Sequence, residues 1–80
     1  MHVPLLMPDL DLPPQQAMTV SSWLVPLGRE VLAGDRLLEI SAGEVLVDLS
    51  APAAGRLIQK SVAEGEAVVA NQTLGVVQTE

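Results

Sequence analysis

The chain repeats itself. Offset by 37 residues, VPLGREVLAGDRLLEI (Val25 to Ile40) lies over VAEGEAVVANQTLGVV (Val62 to Val77). Val25 meets Val62, Gly28 meets Gly65, Val31 meets Val68, Ala33 meets Ala70 and Leu37 meets Leu74. Gly34 falls on Asn71, and both residue types accept a left-handed backbone that others avoid. Five identities in sixteen positions carry weight because apolar positions and turn residues coincide together. Eighty residues make one domain, 1–80, so the repeat must lie within a single core. The constraint is therefore an internal two-fold: two similar halves, packed face to face so that each covers the other's apolar side.

The halves read as β. The chain has no Phe or Tyr and one Trp, so Val and Leu carry the core. Gly, Pro and Asn break these runs often enough for a domain of short strands. Val3 to Pro8 is a first strand cut short by its prolines, and DLDLPPQQ is a loop. Ala17 to Val25 alternates Met18, Val20 and then Trp23 or Val25, two registers that both remain open. Turns follow at Gly28 and Gly34. Leu37 to Ile40 and Val45 to Leu49 flank a tight hairpin at Ala42-Gly43-Glu44. SAPAAG is a loop, Arg56 to Val62 a strand, AEGEA a turn and QTLGVV the closing strand. RLIQKSVAE has some helical character, but the glycines at its two ends leave it too short. The hairpin falls between the repeats, which places it at one end of the molecule with Glu44 at its apex.

Ten acids against four bases give a net charge of −6. Nucleic acid needs clustered Lys and Arg to neutralise phosphate, so it is not the expected partner. An anionic membrane surface is disfavoured in the same way. The opening MHVPLLMPDL has no basic start and meets prolines at positions 4 and 8, unlike a signal peptide. No apolar run approaches the ~20 residues of a membrane span. A chain without cysteine suits a reducing cytoplasm, which is the expected location.

Catalysis is not expected. Ser21, Ser22, Ser41, Ser50 and Ser61 have one histidine between them, His2, at an end read as frayed; a serine nucleophile needs a base within reach. Glu39, Glu44 and Asp48 gather near the hairpin, but a carboxylate pair does acid–base work only where burial or repulsion splits its affinities for the proton. AAGRL precedes a strand and so is not a phosphate loop. Asp9 and Asp11 begin a calcium-loop spacing, but the prolines after them supply no side-chain oxygen, so no metal is expected. Trp23 reads as packing. Lys60, the one lysine, reads as a strand residue that discourages edge pairing.

Four fragments in order, MPDL, WLVPLGREVLAGDRLLEI, VLVDLSAPAAGRL and VAEGEAV, resemble the lipoyl/biotinyl carrier domains from Leu5 to about Val77. These are swinging-arm modules of 2-oxo acid dehydrogenase complexes, glycine cleavage and biotin-dependent carboxylases. They occur as free small proteins and as modules of longer chains. The resemblance implies an all-β flattened barrel of two four-stranded antiparallel sheets related by a pseudo-two-fold, the single hybrid motif. It also implies a lysine at the hairpin tip, joined to lipoate or biotin through an amide. On this sequence the tip is Ala42, Gly43, Glu44 and Val45. The family's lysine falls on Glu44, and the Asp that precedes it in lipoyl domains falls on Gly43. The methionines that flank a biotinyl lysine are absent. A carboxylate cannot form an amide with an acyl adenylate, so neither lipoate nor biotin is expected here. The expected function is a non-catalytic structural or docking module for a protein partner or multienzyme complex. The alternative is a genuine lipoyl or biotinyl carrier, which needs an amine elsewhere. Lys60, which the 37-residue offset sets opposite Trp23 inside a strand, is the one lysine to supply it.

Overall fold

A computed structural model of the chain describes residues 1–79. Eight strands follow one another: β1 His2–Leu6, β2 Met18–Trp23, β3 Glu30–Val31, β4 Arg36–Ala42, β5 Val45–Ser50, β6 Gly55–Lys60, β7 Ala67–Val68 and β8 Thr73–Gln78. No helix occurs among the described residues. The stretch with helical character is strand β6, where Arg56 is exposed and Leu57 is fully buried. His2 is not frayed; it opens β1 opposite Gln78. The two-residue strand β3 lies inside a segment read only as turns, and β7 begins at the last residue of the AEGEA turn and runs into a stretch given no element.

The strands form two antiparallel sheets, ordered β1-β8-β6-β3 and β5-β4-β2-β7. Advancing every strand by four converts the first order into the second, so the connectivity itself carries the two-fold. The halves do not stack as separate layers. Each sheet takes two strands from each half, because a half alone would hold only two-stranded ribbons, which are marginal in water.

The repeat is exact to the residue in its central part. An offset of 37 carries Met18–Trp23 onto Gly55–Lys60 and Glu30–Val31 onto Ala67–Val68. The hydrogen bonds repeat with it. Gly28 N–H donates to the Leu57 carbonyl at 2.7 Å, and Gly65 N–H to the Val20 carbonyl at 2.7 Å. Leu24 N–H reaches the Leu37 carbonyl at 2.8 Å, and Ser61 N–H the Leu74 carbonyl at 2.9 Å. Leu32 N–H is held by Asp35 Oδ2 at 2.9 Å, and Val69 N–H by Gln72 Oε1 at 3.0 Å. Gly34 has φ +91° and Asn71 φ +70°, so both halves turn through the left-handed region at the same point. The register shifts at Val20/Ser22 in β2 and at Leu57/Gln59 in β6 are also 37 residues apart. The first of these bulges resolves the double register of Ala17 to Val25: it shifts the alternation by one and turns Trp23 towards the core.

Between the sheets lie paired side chains, Val20 with Leu57, Val31 with Val68, Leu37 with Leu74 and Ile40 with Val77, none more than 3% exposed. The two-fold is broken where Leu38 corresponds to Gly75. A Cβ on Gly75 would lie 2.7 Å from the Gln59 carbonyl oxygen and 3.2 Å from Trp23 Cη2, so the β6 backbone and the indole together leave no room for the leucine of its twin position. Trp23 Nε1–H donates to the Val62 carbonyl at 2.9 Å, and Lys60 Nζ lies 5.1 Å from the ring centroid. Lys60 is thus half-buried against an aromatic face on β6, where it pairs with Gly75 of β8, beyond the Gly55–Arg56 stretch that β3 covers.

The molecule measures 39 × 19 × 19 Å. The β4–β5 turn stands at one end. Met1 and Thr79 exchange backbone hydrogen bonds at the other, with Thr79 N–H 2.8 Å from the Met1 carbonyl. The twin left-handed turns make a paired prediction. Gly34→Val and Asn71→Val each put a β-branched side chain at positive φ and lose about 1–2 kcal/mol. In a domain of this size that is a melting-point drop of about 4–8 °C per kcal/mol, read by circular dichroism. Asn71→Gly holds its melting point; equal melting of all three variants would contradict the paired turns.

Candidate functional site

Ala42 pairs with Val45 across a two-residue loop. Gly43 carries φ +64°, and Asp11 and Asn71 are the non-glycine residues with positive φ among those described. A positive φ at the first loop residue alone is the signature of a type II′ turn, whose twist suits a tight hairpin. Ala42 is buried and anchors the tip, whereas Gly43, Glu44 and Val45 are exposed. Glu44 stands at the apex with no hydrogen bond or ion pair to a described residue.

The loop between β1 and β2 leans on this tip, a contact with no signature in the residue pattern. A Cβ on Gly43 would lie 3.2 Å from Gln16 Oε1. Gln16 is held in turn, its N–H bonded to the Pro13 carbonyl at 2.9 Å and its Nε2 to the Ala17 carbonyl at 3.1 Å. The Pro13-Pro14 pair therefore does more than interrupt a strand: it closes a turn that sets Gln16 against the hairpin. Asp9 and Asp11, in the same loop, form a local turn in which Asp11 N–H donates to Asp9 Oδ1 at 2.9 Å. No group of three potential metal-ligating side chains occurs among the described residues.

The three acids near the hairpin separate into two environments. Glu39 and Asp48 are direct cross-strand neighbours on β4 and β5, an arrangement that repels. Each has its own relief. Ser21 Oγ–H donates to Glu39 Oε1 at 3.0 Å, and Arg36 Nη1 meets Asp48 Oδ2 at 3.1 Å. Glu44 lies apart from both, at the apex. Ser21 therefore orients a carboxylate and faces no imidazole. Lys60 is placed in the other sheet, against Trp23, and is not brought to the tip.

The tip's chemistry can be tested against the group its shape suggests. A lipoyl or biotinyl arm needs an exposed amine at the apex, and the apex presents a carboxylate. These residues do not fit that attachment. A concavity of about 620 Å³ lies at the other end, beside Thr79, Gly55 and Val31, and Glu30, the carboxylate among its described lining residues, is paired with Arg56 at 2.9 Å.

Residues 13–80 match the family described as "RND MFP, barrel-sandwich hybrid domain". The chain is 35% identical over 79 residues to the dihydrolipoyllysine-residue succinyltransferase component of the 2-oxoglutarate dehydrogenase complex of Haemophilus influenzae, matching 99% of this chain and 19% of that protein. The corresponding component of Bartonella vinsonii subsp. berkhoffii is 35% identical over 60 residues, 75% of this chain and 15% of the relative. The chain thus spans less than a fifth of the curated relatives it matches. Among solved structures, the lipoyl domain of the 2-oxoglutarate dehydrogenase complex of Azotobacter vinelandii superposes with a TM-score of 0.74 at 21% identity, covering 94% of this chain and 96% of that one. A single-chain, multi-domain long-chain acyl-CoA carboxylase superposes with a TM-score of 0.73 at 26% identity, covering 99% of this chain and 7% of that one.

The turn geometry predicts opposite outcomes at adjacent residues. Glu44→Lys changes stability by less than about 0.5 kcal/mol, because an exposed apex residue without partners buries nothing. Gly43→Val loses about 1–2 kcal/mol at its positive φ. Thermal melts of the two variants beside the parent check this, and a larger loss at Glu44 than at Gly43 would displace the turn.

Proposed function

The chain belongs to the barrel-sandwich hybrid family of lipoyl/biotinyl-like domains, and from that premise we propose that it works without a prosthetic arm, as a docking or structural module. The observation that carries this reading is Glu44. It stands alone at the apex of the hairpin, where the family resemblance calls for an amine, and a carboxylate cannot accept an acyl group as an amide. On this reading no lipoate or biotin is attached, and the module performs no catalysis of its own. Its partner is a protein or a multienzyme complex. The relatives support that class of partner, being named as components of a 2-oxoglutarate dehydrogenase complex. The proposed compartment is the cytoplasm, in keeping with a chain that has no cysteine.

A second reading has its own support. The same relatives, 32–35% identical, are dihydrolipoyllysine-residue proteins by name, which favours a working lipoyl carrier. The arm would then sit on an amine away from the apex. Lys60 is half-buried against Trp23, and the amino group of Met1 donates to the Thr79 carbonyl at 3.1 Å at the opposite end from the hairpin. Both are poor substrates for a ligase that reads an extended, accessible turn.

Intact mass decides between the readings. The purified chain is incubated with lipoate ligase and lipoate, or with biotin ligase and biotin, each with ATP. The parent chain is expected to keep its mass in both. Gly43→Asp combined with Glu44→Lys restores the lipoyl-type tip and is expected to gain one lipoyl group. A parent chain that gains a lipoyl or biotinyl group overturns the arm-free reading.

A further inference from the structure

The pseudo-two-fold makes β1 and β5 equivalent: each lies at the outer side of its sheet, and Met7 and Ala51 just beyond them accept from Asn71 and Gly34 N–H at 2.7 and 3.0 Å. An offset of 44 thus carries Pro4 onto Asp48 and His2 onto Leu46. The two edges are not equally closed. Met1 and Thr79 exchange both of their hydrogen bonds. In an antiparallel ladder such pairs alternate, so Val3 and Leu5 also face β8, while His2 and Pro4 turn their backbone groups outward. Pro4 has no N–H to offer, which is how proline closes a sheet edge.

On β5 the Ala42–Val45 pair closes a two-residue loop and is therefore a bonded pair. Val47 and Leu49 also face β4, while Leu46 and Asp48 turn N–H and carbonyl outward. Among the described residues neither makes a backbone bond outside the ladder, and β5 packs on no strand but β4. No proline interrupts β5. Val45 and Leu46 are 57% and 60% exposed. This edge is open where its twin is shut.

Beside it runs a furrow of about 370 Å³ lined by Leu24, Val25, Asp35, Arg36, Glu39 and Asp48. Three carboxylates face one guanidinium there. A strand added to β5 would place its residue opposite Asp48 on this outer face, and its alternate residues on the inner face beside Val47. We propose that β5 is a strand-addition edge, and that its partner is an extended protein segment alternating Lys or Arg with apolar residues, the cations in the furrow and the apolar residues continuing the Val45–Val47 face. The furrow's charge selects a basic peptide over a second copy of this chain, whose net charge of −6 would be brought against its own.

The inference gives the docking module above its kind of partner and rests on that reading, but the two fail separately. Lipoylation of the parent chain would overturn that reading and leave the edge as it is. An unmodified chain that ignores a basic strand would overturn this inference alone.

The test is amide hydrogen exchange by NMR, with an end-blocked hexapeptide of alternating valine and lysine as the probe and one of valine and glutamate as control. The lysine peptide is expected to slow exchange at Leu46 and Asp48 by about tenfold or more, with less effect as salt rises. Asp48→Pro copies the arrangement the fold already holds at Pro4 and is expected to weaken binding at least about tenfold. Asp48→Asn keeps the backbone donor; it is expected to bind more weakly and with a flatter salt dependence, which keeps the test decisive if the proline variant does not fold. Unchanged exchange at Leu46 and Asp48, equal binding of the glutamate peptide, or protection of these amides by self-association without peptide would each overturn the proposal.

Discussion

Everything in this molecule depends on strands of one half completing the sheets of the other. Neither repeat has a sheet of its own. β1 and β3 from the first half frame β8 and β6 from the second, and β5 and β7 frame β4 and β2. The ladder bonds that join the halves are therefore the same bonds that make each half a sheet. This explains why a chain of 80 residues with one aromatic side chain can form a core. The buried rows are built from matched pairs such as Leu37 with Leu74 and Ile40 with Val77, so one packing solution is used twice. The left-handed turns at Gly34 and Asn71 belong to the same scheme: their N–H groups reach the carbonyls of Ala51 and Met7, tying each turn to the far end of an outer strand.

The interleaving also fixes where the exposed tip can be. The β4–β5 turn is the one connection that links the two halves, and it leaves the sheets at one end while the termini meet at the other. Gly43 makes the link in two residues, so the residue after it has nowhere to go but outward. Whatever occupies position 44 is displayed. Its neighbour Ala42 is buried, and Gln16 touches Gly43 from the preceding loop, so the display is held on a firm base. The fold thus delivers a presented side chain whether or not that side chain can be modified. Here it delivers an unpaired carboxylate.

Much of this was legible in the residues. The offset that aligns Gly28 with Gly65 and Leu37 with Leu74 also aligns strands, bulges and hydrogen bonds, because turn residues and core residues are the parts of a sequence that geometry constrains most. The hairpin apex was legible for the same reason. The interleaving was not, since a repeat says that two segments share a shape and says nothing about which segment pairs with which. β3 and β7 escaped because a two-residue strand has no alternation to see. The meeting of Lys60 with the Trp23 ring was not legible, because it joins two strands in different sheets. The Gln16 contact is likewise a long-range meeting between a loop and a turn, with no periodicity to announce it.

In a molecule built twice, the informative positions are those where the copies disagree. Leu38 against Gly75 is a packing difference, and the close approach of the Gln59 carbonyl together with the Trp23 indole accounts for it. Pro4 against Asp48 is different in kind, because no core contact requires it: both are exposed and both lie on outer strands, and Asp48 adds a backbone donor and a carboxylate where Pro4 has neither. A fold that shuts one of two equivalent edges and leaves the other open, with exposed valine and leucine along it and carboxylates beside it, has an asymmetry that packing does not explain. The open edge begins at the residue after Glu44, so the displayed apex and the unpaired strand form one continuous surface on the hairpin. A carrier uses this hairpin through a single side chain at its tip. On the proposed arm-free reading, with a carboxylate at the tip, the recognition chemistry of this end of the molecule is that of its backbone edge and the charges alongside it.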